Sequence, residues 1–218
     1  MNTSQASNAI THATSKFTFI LIAGLLVLAA TLSLTQRTQA KQSCVGPNAQ
    51  GIVRCTFYIE LDQFKAAPPI PQKMSLWCWA ASLSMIYTME GHPISQDEIV
   101  RQNFGQLVNA PGGEFLTFEA RMNRKYVDAN GKTFKSIARR VDTIPQAMTS
   151  LRENIPILYT TKSHATVQTG LVVDVSPVDN RVVGGQIWDP QPGFGLRPLT
   201  PQDIGSYAGA WYIQTVVE

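Results

Sequence analysis

The spacing of apolar and polar residues divides the chain into an apolar N-terminal run, a middle with helical periodicity and a final third with strand-like periodicity. Residues 17–34, FTFILIAGLLVLAATLSL, are uncharged and almost continuously apolar. GIVRCTFYIEL (51–61) is rich in β-branched and aromatic residues and predicts a strand. KAAPPIPQKM (65–74) is proline-rich and predicts a surface connector. From Cys78 to Glu90, Trp79, Leu83, Ile86 and Met89 recur at helical spacing, and Gly91 is placed to end the helix. Ser95 and Glu98 form a capping-box signature for a second helix running to about Phe104. NAPGGEF reads as a loop, FLTFEARMNRKY as a third helix, and DANGKTFKSIARRV as a hairpin turning at Asn130–Gly131. DTIPQAMTSLREN predicts a fourth helix. Beyond it IPILYTT, HATVQTGLVVDV, RVVGGQIWDP and AWYIQTVV are strand-like and separated by turn residues. Helices followed by an antiparallel sheet give the α+β class, with a site expected between the two halves.

The chain has 218 residues, 44% of them hydrophobic, which suits one domain with a sizeable core. The formal charge is +3, but Lys16 and Arg37 belong to residues 1–40, which contain no acid. The remainder holds 16 basic against 15 acidic residues, so no nucleic-acid surface is indicated. Lys16 precedes the apolar run and TQRTQA follows it, with Thr38 and Ala40 suiting a signal-peptidase site. The run also approaches the ~20 residues that span a bilayer. Residues 1–40 are therefore read as a signal peptide cleaved after Ala40 or as a membrane anchor through residues 17–34. Either reading sends the rest out of the cytoplasm, to the periplasm or the exterior. Residues 41–70 then form a short N-terminal segment, and residues 71–218 the functional domain, expected to act as a monomer.

Export changes the meaning of the cysteines. Cys44, Cys55 and Cys78 are an odd number in an oxidising compartment, so one bridge and one free thiol are expected. Cys44 and Cys55 flank the turn-rich VGPNAQGIVR, which can fold the chain back on itself. Cys78 is left over. It is either a buried inert cysteine or a nucleophile at the first turn of a helix, where the helix dipole and unpaired N–H groups favour thiolate.

A cysteine nucleophile needs a base, and the base an orienting partner. His12 lies in the export segment, and His92 sits in the link after the first helix, about 20 Å of helix away from Cys78. His164, at the mouth of a strand, remains. Asp174 is ten residues along that same strand and too distant. Asp189 ends the following strand. A hairpin centred between Ser176 and Pro177 would set it opposite His164, and one centred on Val178 would miss by about three residues. Trp77, Gly112 and Gly113 are candidate substrate contacts. No Cys or His pair has zinc-ligand spacing, and neither metal nor cofactor is expected.

Gln72, six positions before Cys78, then LWCWAA, HATVQTG and IWDP, in that order, resemble the papain-like cysteine peptidases. The likeness is nearest to their compact bacterial branches, the AvrRpt2-type and bacteriocin-processing peptidases, and runs from about Pro71 to the C-terminus. Ser75-Leu76-Trp77 stands where plant papains have Cys-Gly-Ser. The resemblance implies a nucleophile helix packed on a C-terminal sheet. It implies Cys78 as nucleophile, His164 as general base and acid, Asp189 as orienter of the imidazole and Gln72 as an oxyanion donor. Trp79 is expected to hold the helix against the sheet half. The activity so implied is hydrolysis of peptide or isopeptide bonds in a protein or peptide substrate. Two alternatives are an acyltransferase or amidase on the same scaffold and a catalytically silent binding module.

Overall fold

The computed structural model describes residues 41–64 and 68–217. The apolar run 17–34 and the cleavage motif lie outside the described residues. Nine strands form one antiparallel sheet: β1 (Lys41–Val45), β2 (Val53–Tyr58), β3 (Lys125–Val127), β4 (Thr133–Arg140), β5 (Ile157–Thr161), β6 (Ala165–Val175), β7 (Asn180–Asp189), β8 (Gly195–Pro198) and β9 (Tyr207–Val217). The helices are α1 (Cys78–Met89), α2 (Gln96–Phe104), α3 (Phe115–Met122), α4 (Ile144–Arg152) and α5 (Pro201–Gly205). Helices and a large antiparallel sheet make the α+β class that the sequence predicts.

The long strand β6 organises the sheet. β7 runs along one edge of it, while β5 and then β2 occupy the other in succession. From β5 the sheet continues through β9 and β4 to β3, and β8 extends it beyond β7. β1 and β2 form a hairpin in which Cys44 stands opposite Cys55, and the two are disulfide-bonded. Cys78 is the free thiol. The cysteine count and the turn-rich spacer predicted both.

α1 lies against β5 and β6. Its residues are buried on almost every side, including Trp79, Ala80, Ala81, Leu83, Ile86 and Tyr87, which accounts for its apolar character. Ser82 donates a hydrogen bond from its buried hydroxyl to the Ala165 carbonyl (3.1 Å), tying the helix to β6. Helix ends follow local chemistry. Ser95 accepts from the Glu98 N–H at the start of α2, and Gly105, at φ 75°, ends it. Capping boxes at Thr143 and Thr200 open α4 and α5.

Several elements depart from the periodicity reading. The third helix stops at Met122, short of Tyr126, because Lys125–Val127 pairs with β4. That pairing buries the Tyr126 ring beside Tyr87 and Phe134, a burial that helix propensity does not compete with. Short elements without a periodic signal (β1, β8 and α5) were not predicted. Trp79, buried in one core with residues of the sheet, also anchors the segment from 104 to 121: its indole N–H donates to Ala110 O (3.1 Å), and its ring meets Phe104 and the Arg121 guanidinium.

Candidate active site

The segment before α1 is fastened on several sides. The Gln72 N–H donates to Pro190 O at 2.7 Å, next to the end of β7. Gln96 of α2 accepts from the Lys73 N–H and donates to Pro71 O. Asn109 accepts from the Leu76 N–H and donates to the Ser75 hydroxyl. The chain therefore enters α1 in a set direction, with half-buried Cys78 as its first residue. Trp77, the cap, offers no side-chain hydrogen bond to the N–H groups of the helix. The first N–H groups of the helix have no intrahelical acceptor and remain available at this end.

His164 reaches the same place from the sheet. Lys162 and Ser163 make a tight connection between β5 and β6, and the Thr161 N–H donates to His164 O (2.8 Å), closing the turn. The His164 Nε2–H donates to Asp189 Oδ1 at 2.7 Å, which leaves Nδ1 as the ring nitrogen for Cys78, a residue lining one cleft with it. Burial by itself would lower the His164 pKa. The hydrogen bond to Asp189 and the nearby Cys78 outweigh it and raise the value to about 9. Burial would correspondingly raise that of Asp189, yet the bonds from His164 and from the Gln191 N–H hold it below the usual carboxylate range.

The register that brings Asp189 here lies between the two considered from sequence. Val175 pairs with Asn180, so the hairpin centres between Pro177 and Val178. One extra residue on β7, Val183, is offset by one on β6, Thr169. Continuing the register sets Asp189 opposite Thr166, two residues from His164, within the diagonal reach of neighbouring strands. Asp174, at the far end of β6, is engaged by Arg54 at 2.6 and 2.8 Å. His92 is at the other end of α1. It is buried, stacked on Phe134 (4.3 Å) and 3.4 Å from Asp128.

Cys78 and His164 border a cleft of about 370 Å³. Leu76, Gly112, Gly113, Glu114, Thr160, Ala165, Ala208 and Trp211 contribute to its lining. Gly113 has φ 98°, in the left-handed region. A Cβ on Gly112 would come within 2.9 Å of the Phe118 ring and 3.1 Å of Trp79, so the close approach of this segment needs glycine. Trp77 is not a cleft residue. It is 3% exposed, with its indole N–H on Val108 O at 2.8 Å, because the first turn of α1 directs that ring into the core. Gln72 is not among the residues that line the cleft, and its Nε2 donates to Met74 O (3.0 Å) and Ser75 O (3.1 Å).

Sequence reasoning passed over Arg121 and Arg197. Arg121 lies over the rings of Phe104 and Trp79 and donates to the carbonyls of Pro111 and Gly112, holding the glycine segment in place. Arg197 places Nε and Nη2 on Asp189 Oδ2 at 3.0 and 2.9 Å and is itself bound by Asp203. It stands on β8, and the only sequence signal for that strand is the turn-rich PQPGFG after Asp189.

Comparison with curated proteins and with solved structures returns no match. A family model, described as papain-like cysteine protease AvrRpt2, matches residues 65–197. That span is more than half of the chain and contains Gln72, Cys78, His164 and Asp189. The chain belongs to the papain-like cysteine proteases of the AvrRpt2 type.

Proposed function

We propose that the protein is an exported cysteine peptidase that hydrolyses peptide or isopeptide bonds through Cys78, His164 and Asp189. The observation that carries the reading is a histidine hydrogen-bonded to a buried carboxylate and lining one cleft with the free thiol of Cys78. Cys78 Sγ attacks the substrate carbonyl carbon, and its proton is held at His164 Nδ1. The oxyanion accepts from the Cys78 N–H, and from Gln72 once one of its two bonds to Met74 and Ser75 gives way. Collapse breaks the C–N bond, the amine leaves with the proton from His164, and a thioester remains on Cys78. Water then attacks the thioester, giving its proton to His164, and the acid product leaves as the thiol is restored. Asp189 keeps the second ring proton on Nε2 throughout, so that Nδ1 faces the sulfur. Gly112 and Gly113, in the cleft lining, offer backbone groups to an extended substrate. Export is supported by the apolar run, by Thr38 and Ala40, and by the Cys44–Cys55 bridge.

The test is mass spectrometry of a diverse peptide mixture after incubation with the wild-type protein and with Cys78→Ala. New termini that need Cys78 are expected. A mixture unchanged by the wild type, or cut equally by both proteins, would refute the reading.

A further inference from the structure

We propose that Arg197 is a positioning residue for Asp189, and that it commits position 189 to a carboxylate rather than an amide. The inference rests on the roles of His164 and Asp189 proposed above. Its basis is the sharing of acceptors around a side chain that is only 3% exposed. Asp189 Oδ1 takes the His164 Nε2–H and the Gln191 N–H, while Oδ2 takes both Arg197 donors. Four donors converge on two oxygens, and three of them, the Gln191 N–H and the two Arg197 groups, can only donate. An amide has a single oxygen, so in either orientation its NH₂ would face donors.

Arg197 is well placed to impose this. In β8 it stands opposite Ile187, two residues along from Asp189 on the same face of the sheet. Its free side is held by Asp203, with Nη1 at 2.7 Å and Nη2 at 3.1 Å from the two carboxylate oxygens. Asp203 in turn accepts from the Thr200 N–H and hydroxyl as part of the cap of α5. A helix cap thus anchors an arginine fork, and the fork fixes the carboxylate rotamer that presents Oδ1 to the imidazole. The other ionisable groups lining the cleft with the imidazole are Cys78 on α1, Lys162 in the β5–β6 turn and Glu114 before α3.

Without the fork Asp189 can rotate, and the imidazolium loses a fixed partner. The measurement is the titration of His164 by NMR in the full chain with ¹³C-labelled histidine, the resonance being assigned with His164→Ala. Wild type is expected to titrate near 9. Arg197→Gln should move the midpoint by about one pH unit, the scale set by a neighbouring charge. Arg197→Lys, which returns the charge without the fork, should fall between the two. A residue that merely supported the fold would change the melting temperature and leave the midpoint alone. A folded Arg197→Gln protein with the wild-type midpoint would overturn the proposal. If Arg197→Gln does not fold, Asp203→Asn decides: a smaller shift supports the proposal, and an unmoved midpoint overturns it. A wild-type midpoint near 6.5 would instead remove the Cys78–His164–Asp189 reading itself, so the two failures are separable.

Discussion

Asp189→Asn is nearly isosteric, and the structure gives it a large effect with a definite sign. The carboxylate accepts at 2.7 and 2.9 Å on Oδ1 and at 3.0 and 2.9 Å on Oδ2. Asparagine keeps one acceptor, and the two charged donors of Arg197 will draw it to their side. The NH₂ group then faces the Gln191 N–H and His164 Nε2. Two bonds are lost, one of them from a charged partner, where a hydrogen bond is worth ~1.5–3 kcal/mol. The side chain is buried, so water does not replace them, and a destabilisation of about 3 kcal/mol is expected from urea unfolding. The effect on turnover is larger. His164 Nε2 must present its lone pair to the new NH₂, which moves the proton to Nδ1, the atom that should accept from Cys78. The same wrong tautomer in a serine triad costs ~10⁴ in turnover. A fall of about 10³–10⁴ in kcat/KM is expected on a peptide identified by mass spectrometry. Adding Arg197→Gln to Asp189→Asn frees the amide to turn its oxygen toward His164. The double variant should therefore be more active than Asp189→Asn alone. An Asp189→Asn protein with more than about a tenth of wild-type activity, or a double variant no better than the single one, would refute the reasoning.

Three further outcomes are expected. His164 is raised to about 9 in the folded protein, against ~6.5 unfolded, so its contribution is complete below about pH 6.5 and is lost as pH rises through 9. Urea unfolding should find the protein weaker at pH 9.5 than at 6.5 by roughly 2–3 kcal/mol, a difference that His164→Ala should largely abolish. Gln72→Ala should lower turnover by ~10²–10³ through the lost oxyanion donor while leaving iodoacetamide labelling of Cys78 nearly unchanged, since alkylation forms no oxyanion; loss of both would mean that the Met74–Ser75 carbonyls need Gln72 to keep the site in shape. Gly112→Ala places a methyl against the Phe118 and Trp79 rings and should cost ~1–3 kcal/mol of stability; a neutral result in thermal unfolding would show that this segment can move aside.

The residues that carry local chemistry were legible in the chain. An odd cysteine count and a turn-rich spacer predicted the Cys44–Cys55 bridge. Helical spacing from Trp79 to Met89 placed Cys78 at a helix start. Elimination among three histidines left His164, which the fold brings to Cys78. Such signals lie within a few residues of one another, and short-range geometry decides them. What depended on register was decided only by the folded sheet. Two extra residues, on β6 and β7, cancel to bring Asp189 within reach of His164, and no local pattern announces that cancellation. Arg197 enters the site on a four-residue strand with no periodicity of its own. Trp77, read from the chain as a substrate contact, turns into the core toward Val108, and Trp79 is bound at Ala110 O. Periodicity tells which side of an element is buried. The partner a side chain meets there is fixed by strand offset and helix rotation, which are properties of the whole packed structure.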